Sequence, residues 1–162
     1  MKLLPLVLTL AAGAASAQTV DDLIAKHVEA RGGLARLRAI ESVRIERTDA
    51  ATFNDIDILI VKKRPNLYRS EQTPEGSSNT IVRGFADVAW EQAGGKTAVR
   101  EGAGVVEQRE VDGDFDGFLV DYKAKGHTVA LEGREKIGGA DAWKLRVTLK
   151  SGAVRHVYLD AR

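Results

Sequence analysis

The stretch of the sequence that most suggests chemistry is an acidic motif at residues 112–117 (DGDFDG). It places carboxylates at positions 1, 3 and 5 and a glycine at position 6, as in the first half of a calcium-binding EF-hand loop. That loop closes with a bidentate glutamate at position 12, where this chain has Lys123, a cation in place of the strongest ligand. The motif is more typical of an Asp-rich turn that starts a helix.

Other residue types that perform acid–base or nucleophilic chemistry form no catalytic pattern. Asp114, Asp116 and Asp121 supply carboxylates, but nothing in the sequence alone brings two of them to one cleft. No GxSxG nucleophile motif is present. The histidines lack metal-ligand spacing such as HExxH, and they are His27, His127 and His156. We therefore expect no catalytic residue, no cofactor and no metal ion.

The first 17 residues have the pattern of a signal peptide. Lys2 precedes an apolar run at residues 3–12, and Ala15-Ser16-Ala17 supplies a small-x-small cleavage signal before Gln18. The run is roughly half of the about 20 apolar residues that a membrane span requires, and no later segment is longer or more apolar. We expect export to the periplasm, no membrane span, and one mature domain over residues 18–162.

Charge and cysteine content narrow the class of protein further. The chain has 24 Lys and Arg against 23 Asp and Glu, and loss of Lys2 with the signal leaves the two signs balanced. A nucleic-acid-binding protein usually carries a clustered basic surplus, so we expect no nucleic-acid partner. The absence of cysteine excludes disulfides, thiolate metal sites and the acylated cysteine of a lipoprotein.

The mature sequence begins with helical signals and continues with strands. Thr19 and Asp22 predict a helix start, Gly32-Gly33 predicts its end, and residues 34–40 predict a second short helix. After Ser42 the apolar period changes to 2, which predicts strands. The predicted strands cover residues 43–46, 55–63, 80–83 and 87–92, and a further strand begins at residues 67–69. A turn cluster is predicted at residues 73–79 and loops at residues 94–95 and 102–104.

The clearest pattern lies in the last part of the chain. Trp143, Leu145, Val147 and Leu149 alternate with polar residues, a turn follows at residues 151–152, and residues 154–159 return as the partner strand. With an earlier strand at residues 129–137, this predicts an antiparallel meander with one apolar face. The aromatic and apolar residues between positions 115 and 122 are spaced 3, 1 and 3, which predicts a short helix packed on the sheet.

Two segments resemble a known family, the periplasmic outer-membrane lipoprotein-sorting proteins of bacteria. Residues 25–46 (AKHVEARGGLARLRAIESVRIE) are similar to the opening of that group, in which two helices lead into the first strand. Residues 114–161, beginning DFDGFLVDYKAKG, resemble its central signature of an aspartate–glycine helix followed by three strands. Residues 84–91 (GFADVAWE) resemble its tryptophan-bearing strand, although Ala86-Asp87 replaces the usual DG-type turn.

The resemblance implies a fold and a role. The fold is α+β, a strongly curved antiparallel sheet that forms an incomplete half-barrel with helices covering its concave face. The role is to bind the acyl chains of lipoproteins, or other lipids, between sheet and helices, with delivery partners at the inner or outer membrane. Members of the group usually run several strands further, so we expect a chain that is incomplete at its C-terminus.

Three hypotheses for function follow. The first is a non-catalytic carrier or chaperone for lipoproteins or other lipids, the second is an envelope sensor or interaction module that recognises a partner protein, and the third is a calcium-assisted enzyme. For the carrier, side-chain type and alternation select the pocket residues Trp90, Phe118, Leu119 and Tyr122. The alternative for the apolar stripe is that it belongs to the core, as we expect for Trp143 and Leu145.

Overall fold

The computed structural model describes residues 18–50 and 52–162, so the predicted signal peptide lies outside the described residues. In this part of the chain the helices are α1 (Val20–Ala30), α2 (Leu34–Ala39) and α3 (Ala103–Asp112). The strands are β1 (Ser42–Asp49), β2 (Ile56–Lys63), β3 (Leu67–Pro74), β4 (Ile81–Phe85), β5 (Ala89–Ala93), β6 (Lys96–Arg100), β7 (Thr128–Ile137), β8 (Ala140–Thr148) and β9 (Val154–Asp160). They form an antiparallel six-stranded sheet, β1 to β6, and an antiparallel three-stranded sheet, β7 to β9. The predicted α+β class with antiparallel pairing is confirmed. None of the described helices has the length and apolar composition that a bilayer crossing needs.

The two N-terminal helices form where the sequence predicts them. Thr19 Oγ1 accepts a hydrogen bond from Asp22 N, and Asp22 Oδ2 accepts one from Thr19 N, both at 3.1 Å, so the capping box is complete. Gly32 and Gly33 have φ values of 96° and 85°, a left-handed backbone that ends the helix. The helix α2 ends at Ala39, one residue before the predicted end.

The six-stranded sheet differs from prediction in the bounds of its strands and in one additional strand. The strand β1 runs to Asp49, three residues past its predicted end. The strand β3 continues through the start of the predicted turn cluster, because Thr73 and Pro74 still pair with Asp57 and Ile56 of β2. The strand β6 is not predicted by the sequence. Four of its five residues are exposed, so this edge strand has no apolar face to produce an alternating pattern.

The three-stranded sheet confirms the predicted C-terminal meander and supplies most of the main core. Leu145 and Val147 of β8 are fully buried, and they pack with Leu149 and with Leu23 and Ile24 of α1. The polar residues between them point to the other face, as the period of a strand requires. The alternation that is visible in the sequence is therefore produced by packing against α1.

A second, smaller cluster identifies which face of the six-stranded sheet is covered. Tyr68, Phe85 and Ala89 are buried together, with Ile60 and Val105 packed against them. Val105 belongs to α3, so α3 lies on this face of the sheet. We call it the covered face.

The predicted helix over residues 115–122 does not form. Residues 113–127, which we call the connecting segment, run from α3 to β7 through bends and turns. Gly117 (φ 89°) and Asp121 (φ 53°) have left-handed backbone, which a right-handed helix excludes. The helix lies earlier, in α3, and Gly102 (φ 105°), predicted as a loop residue, is its N-cap. The acidic motif therefore follows a helix instead of starting one.

Candidate functional site

A cleft of about 430 Å³ lies where α3 and the connecting segment meet the ends of both sheets. Its volume falls within the range of about 300–1,000 Å³ that is usual for small-molecule pockets. The connections beside β3, β4, β7 and β8, together with α3, contribute its lining. The lining residues are Asn66, Phe85, Ala86, Arg109, Glu110, Gly113, Asp114, Lys125, His127 and Lys150.

The apolar wall of the cleft is the ring of Phe85. This ring is almost fully buried and stacks on Tyr68, with the ring centroids 5.2 Å apart. Burial raises the pKa of Tyr68, because a phenolate is poorly solvated there. The Arg109 guanidinium lies over the Phe85 ring, 5.9 Å from its centroid. The wall therefore offers apolar surface beside a permanent cation.

The helix α3 covers this wall through polar contacts and through the partly buried side chains of Val105 and Val111. None of its ten residues is fully buried. Arg109 Nη2 donates hydrogen bonds to the carbonyl oxygens of Ala86 and, at 2.9 Å, of Asp87, and Glu107 forms an ion pair with Arg155 of β9. Water can replace partners of this kind at a net cost of about 1 kcal/mol each. We conclude that α3 is a cover that is displaced more easily than a helix with a buried stripe.

The floor of the cleft contains a neutralised ion pair. Lys125 Nζ donates to both carboxylate oxygens of Asp114, at 2.7 and 2.8 Å, and to the carbonyl oxygen of Gly117 at 2.9 Å. Asp114 Oδ1 also accepts hydrogen bonds from the backbone N–H groups of Asp116 and Gly117 at 3.2 Å. The Asp114 side chain is 9% exposed. This pair is satisfied within the protein and fixes the turn of the connecting segment.

His127 is buried, at 6% exposed, with one ring nitrogen engaged. Its Nδ1 accepts a hydrogen bond from the backbone N–H of Lys150 at 3.0 Å, so the neutral ring carries its proton on Nε2. Nε2 has no hydrogen-bond partner among the described residues. In that part of the chain, every fully buried side-chain nitrogen has a hydrogen-bond partner. The Nε2–H group is therefore not fully buried, and His127 is one of the residues that line the cleft.

A further cation, Lys62, lies on the covered face beneath α3. Lys62 Nζ is 5.8 Å from the Tyr68 ring centroid and 3.5 Å from the carbonyl oxygen of Asp114. Burial lowers the pKa of Lys62, and the nearby charges of Asp112 and Asp114 oppose that effect. The positive charge beneath α3 thus extends from the cleft onto the sheet.

The three carboxylates of the acidic motif diverge to different partners. Asp112 accepts a hydrogen bond from Gln108 at 3.2 Å, Asp114 binds Lys125, and Asp116 binds Arg64. Within residues 18–50 and 52–162, no three His, Asp or Glu side chains are placed to hold a metal ion. The arrangement is a structured turn.

The structure brings three of the four predicted pocket residues together. Leu119 is buried in the main core between α1 and β8, and Phe118 and Tyr122 pack against that core. Trp90 lies elsewhere, because it follows Ala89 of the covered face and so points to the opposite face, over Gly84. Among the described residues that line the 430 Å³ cleft, none belongs to this predicted set.

The polar residues of the cleft are missed by sequence reasoning. His127 carries one weak signal, its position directly after a glycine, and Lys125 and Lys150 resemble any solvated lysine. The turns of the connecting segment bring Lys125 and His127 beside Lys150 of the β8–β9 turn, and no local pattern encodes that meeting.

Comparison with known proteins adds no assignment to this geometry. The lipoprotein-sorting resemblance therefore stays a prediction from the residues. Comparisons of the chain with protein-family models, with curated proteins and with solved structures found no match.

Proposed function

We propose that the protein is a non-catalytic periplasmic binding protein, a carrier or chaperone for lipoproteins or other lipids, which holds an apolar chain in the cleft beside α3. One observation carries the proposal. The helix α3 covers Tyr68, Phe85 and Ala89, yet none of its own ten residues is fully buried. An apolar sheet face must be covered, and an apolar ligand can take the place of a cover that is held by polar contacts and by apolar side chains, such as Val105, that are only partly buried.

In this proposal the two sheets together form the curved, incomplete half-barrel that the resemblance implies. Residues at the ends of both sheets support this arrangement. Phe85 ends β4, Lys150 lies in the turn after β8, and both line one cleft. The connecting segment also bonds to both sheets, through Asp114 O to Lys62 and through His127 Nδ1 to the N–H of Lys150.

The expected affinity follows from the apolar area that the ligand buries. Each buried CH₂ group contributes about 0.8 kcal/mol, so a chain of about ten methylenes gains about 8 kcal/mol. Ordering the chain and displacing α3 reduce that gain. The remainder corresponds to reversible binding at micromolar concentrations or weaker, which suits a carrier that must release its cargo.

Native mass spectrometry of protein purified without denaturant tests the proposal. We expect adducts with lipid masses, and displacement of a fluorescent fatty-acid probe by unlabelled lipid. Phe85→Leu should weaken probe binding about fivefold, since it removes part of the apolar wall. Phe53→Leu is the matched control, because Phe53 is 95% exposed. Absence of lipid adducts together with absence of probe binding at micromolar concentrations would contradict the proposal.

A further inference from the structure

The hydrogen-bonding groups of the cleft are unequally divided between donors and acceptors. Of its carboxylates, Asp114 is neutralised by Lys125, and Glu110 Oε2 accepts a hydrogen bond from the N–H of Ser151 at 3.2 Å. The lining carries the three cations Arg109, Lys125 and Lys150 against these two carboxylates. The surplus charge of the cleft is therefore positive.

Two donors in the cleft are left without a partner in the described part of the chain. One is His127 Nε2–H, whose tautomer is fixed by the hydrogen bond that Nδ1 accepts from Lys150 N. The other is Lys150 Nζ, which forms no ion pair with a described carboxylate, while its aliphatic stem lies beside Gly126. The same residue thus orients the imidazole through its backbone and places an ammonium group at the cleft through its side chain.

We propose that the cleft selects amphiphiles with an anionic oxygen head group, a carboxylate or a phosphate, which accepts a hydrogen bond from His127 Nε2–H and pairs with Lys150. The apolar chain lies along Phe85 beneath α3. Charge-assisted hydrogen bonds of this type are about twice as strong as neutral ones, and the hydrogen bond from Lys150 N to Nδ1 holds the imidazole ring in place. This inference rests on the proposed function and adds the class of head group.

Calorimetric titration with four probes separates the contribution of the head group to the binding affinity from that of the tail. The probes are decanoate and decyl phosphate, each below its critical micelle concentration, decanol below its aqueous solubility, and inorganic phosphate. We expect decanoate and decyl phosphate to bind about tenfold more tightly than decanol, and inorganic phosphate to bind far more weakly than decyl phosphate because it lacks the chain.

Two substitutions at one position distinguish ligand contact from structural support. In His127→Gln the amide nitrogen lies near the position of Nε2, so the donor is kept and the acceptor for Lys150 N is lost. In His127→Asn the amide oxygen replaces Nδ1, so the acceptor is kept and the donor is lost. We expect His127→Asn to lose the tenfold preference for the anionic probes and His127→Gln to keep it. Lys150→Gln should also reduce the preference, whereas Lys96→Gln, at an exposed position of β6, should not.

Each other outcome overturns a defined part of the idea. If decanol binds as tightly as decanoate, or if His127→Asn keeps the preference or loses it only as much as His127→Gln does, the head-group inference is wrong and the binding of amphiphiles remains. If inorganic phosphate binds as tightly as decyl phosphate, the cleft is a site for a free oxyanion and not for an amphiphile. If no amphiphile binds, charged or neutral, the proposed function fails and the inference fails with it.

Discussion

Arg64 and Asp116 form a two-point ion pair that joins the end of β2 to the connecting segment. The Nη1–Oδ2 and Nη2–Oδ1 distances are 2.9 and 2.7 Å, and both side chains are largely removed from solvent. The same guanidinium donates hydrogen bonds to the carbonyl oxygens of Leu37 and Ile40, at 2.9 and 2.8 Å. One arginine therefore connects the six-stranded sheet, the end of α2 and the segment that forms the floor of the cleft.

Loss of the Asp116 charge should destabilise the protein. Asp116→Asn leaves a partly buried arginine without its anion, and we expect the free energy of unfolding to fall by about 2 kcal/mol. Urea unfolding measures the change. Asp121→Asn is the control, because the Arg38–Asp121 pair is exposed and asparagine tolerates the left-handed backbone at this position. Equal effects of the two substitutions would contradict the special role of the Arg64 pair.

The same pair makes stability depend on pH in acid. The hydrogen bonds from Arg64 hold the pKa of Asp116 below its usual value of 3.8. The unfolded chain therefore binds a proton at higher pH than the folded protein does, so the stabilisation is complete above about pH 4–5 and is lost as the pH falls through the lowered value. Urea midpoints between pH 6 and pH 2 should decline less steeply in Asp116→Asn than in the unsubstituted protein. Parallel curves would show that this carboxylate does not contribute.

His27 should produce a second pH dependence at higher pH. Burial on α1, with a smaller contribution from the charge of Arg31, lowers the pKa of His27 from 6.5. The unfolded state then binds the proton first, so stability is full above about pH 7 and declines as the pH falls through the lowered value. His27→Gln should remove that decline between pH 7 and pH 5 in urea unfolding. A decline that persists unchanged in the variant would assign it to another group.

Repeating patterns along the chain predict the regular elements of this fold. The capping box at Thr19 and Asp22 and the alternation around Leu145 and Val147 are local, so α1 and the C-terminal meander are readable from the sequence. The helix α3 has no buried side chain, which leaves no apolar stripe to signal a helix. The sequence directs attention instead to the Phe118 stripe, whose side chains pack on the core from turns.

The cleft could not be predicted because its parts come from distant positions. His127 and Lys150 are 23 residues apart. The donor in their hydrogen bond is the backbone N–H of Lys150, a group that almost every residue type has, so the sequence gives no indication of the contact. The ion pair of Asp114 with Lys125 is local in sequence, but Lys125 lies two positions past the calcium-loop template, and the lysine that disagrees with that template is Lys123. Tertiary contact decides both features.

Truncation of a buried valine should lower the free energy of unfolding far more than truncation of an exposed valine does. Val147 is 0% exposed in the core beneath α1, and Val99 in β6 is 62% exposed. Val147→Ala removes packed methyl groups and leaves a cavity, so we expect a loss of about 2 kcal/mol in the free energy of unfolding. Val99→Ala should change that free energy by about 0.5 kcal/mol or less. Chemical denaturation of both variants checks the prediction, and similar losses would contradict the placement of the core.

Alanine substitution at two glycines should change stability in opposite directions. A Cβ at Gly84 would lie 2.5 Å from Cζ2 and 2.6 Å from Cε2 of Trp90 on the neighbouring strand, so the indole must move. We expect Gly84→Ala to lower the free energy of unfolding by about 1–3 kcal/mol. In Gly104→Ala the new Cβ meets no described atom within 4 Å, and alanine favours the helix by up to about 1 kcal/mol. Urea unfolding measures both changes. Trp90 fluorescence, recorded with Trp143→Phe as background, should shift only in Gly84→Ala. An unshifted spectrum with unchanged stability in Gly84→Ala would contradict the stacking of Trp90 on Gly84.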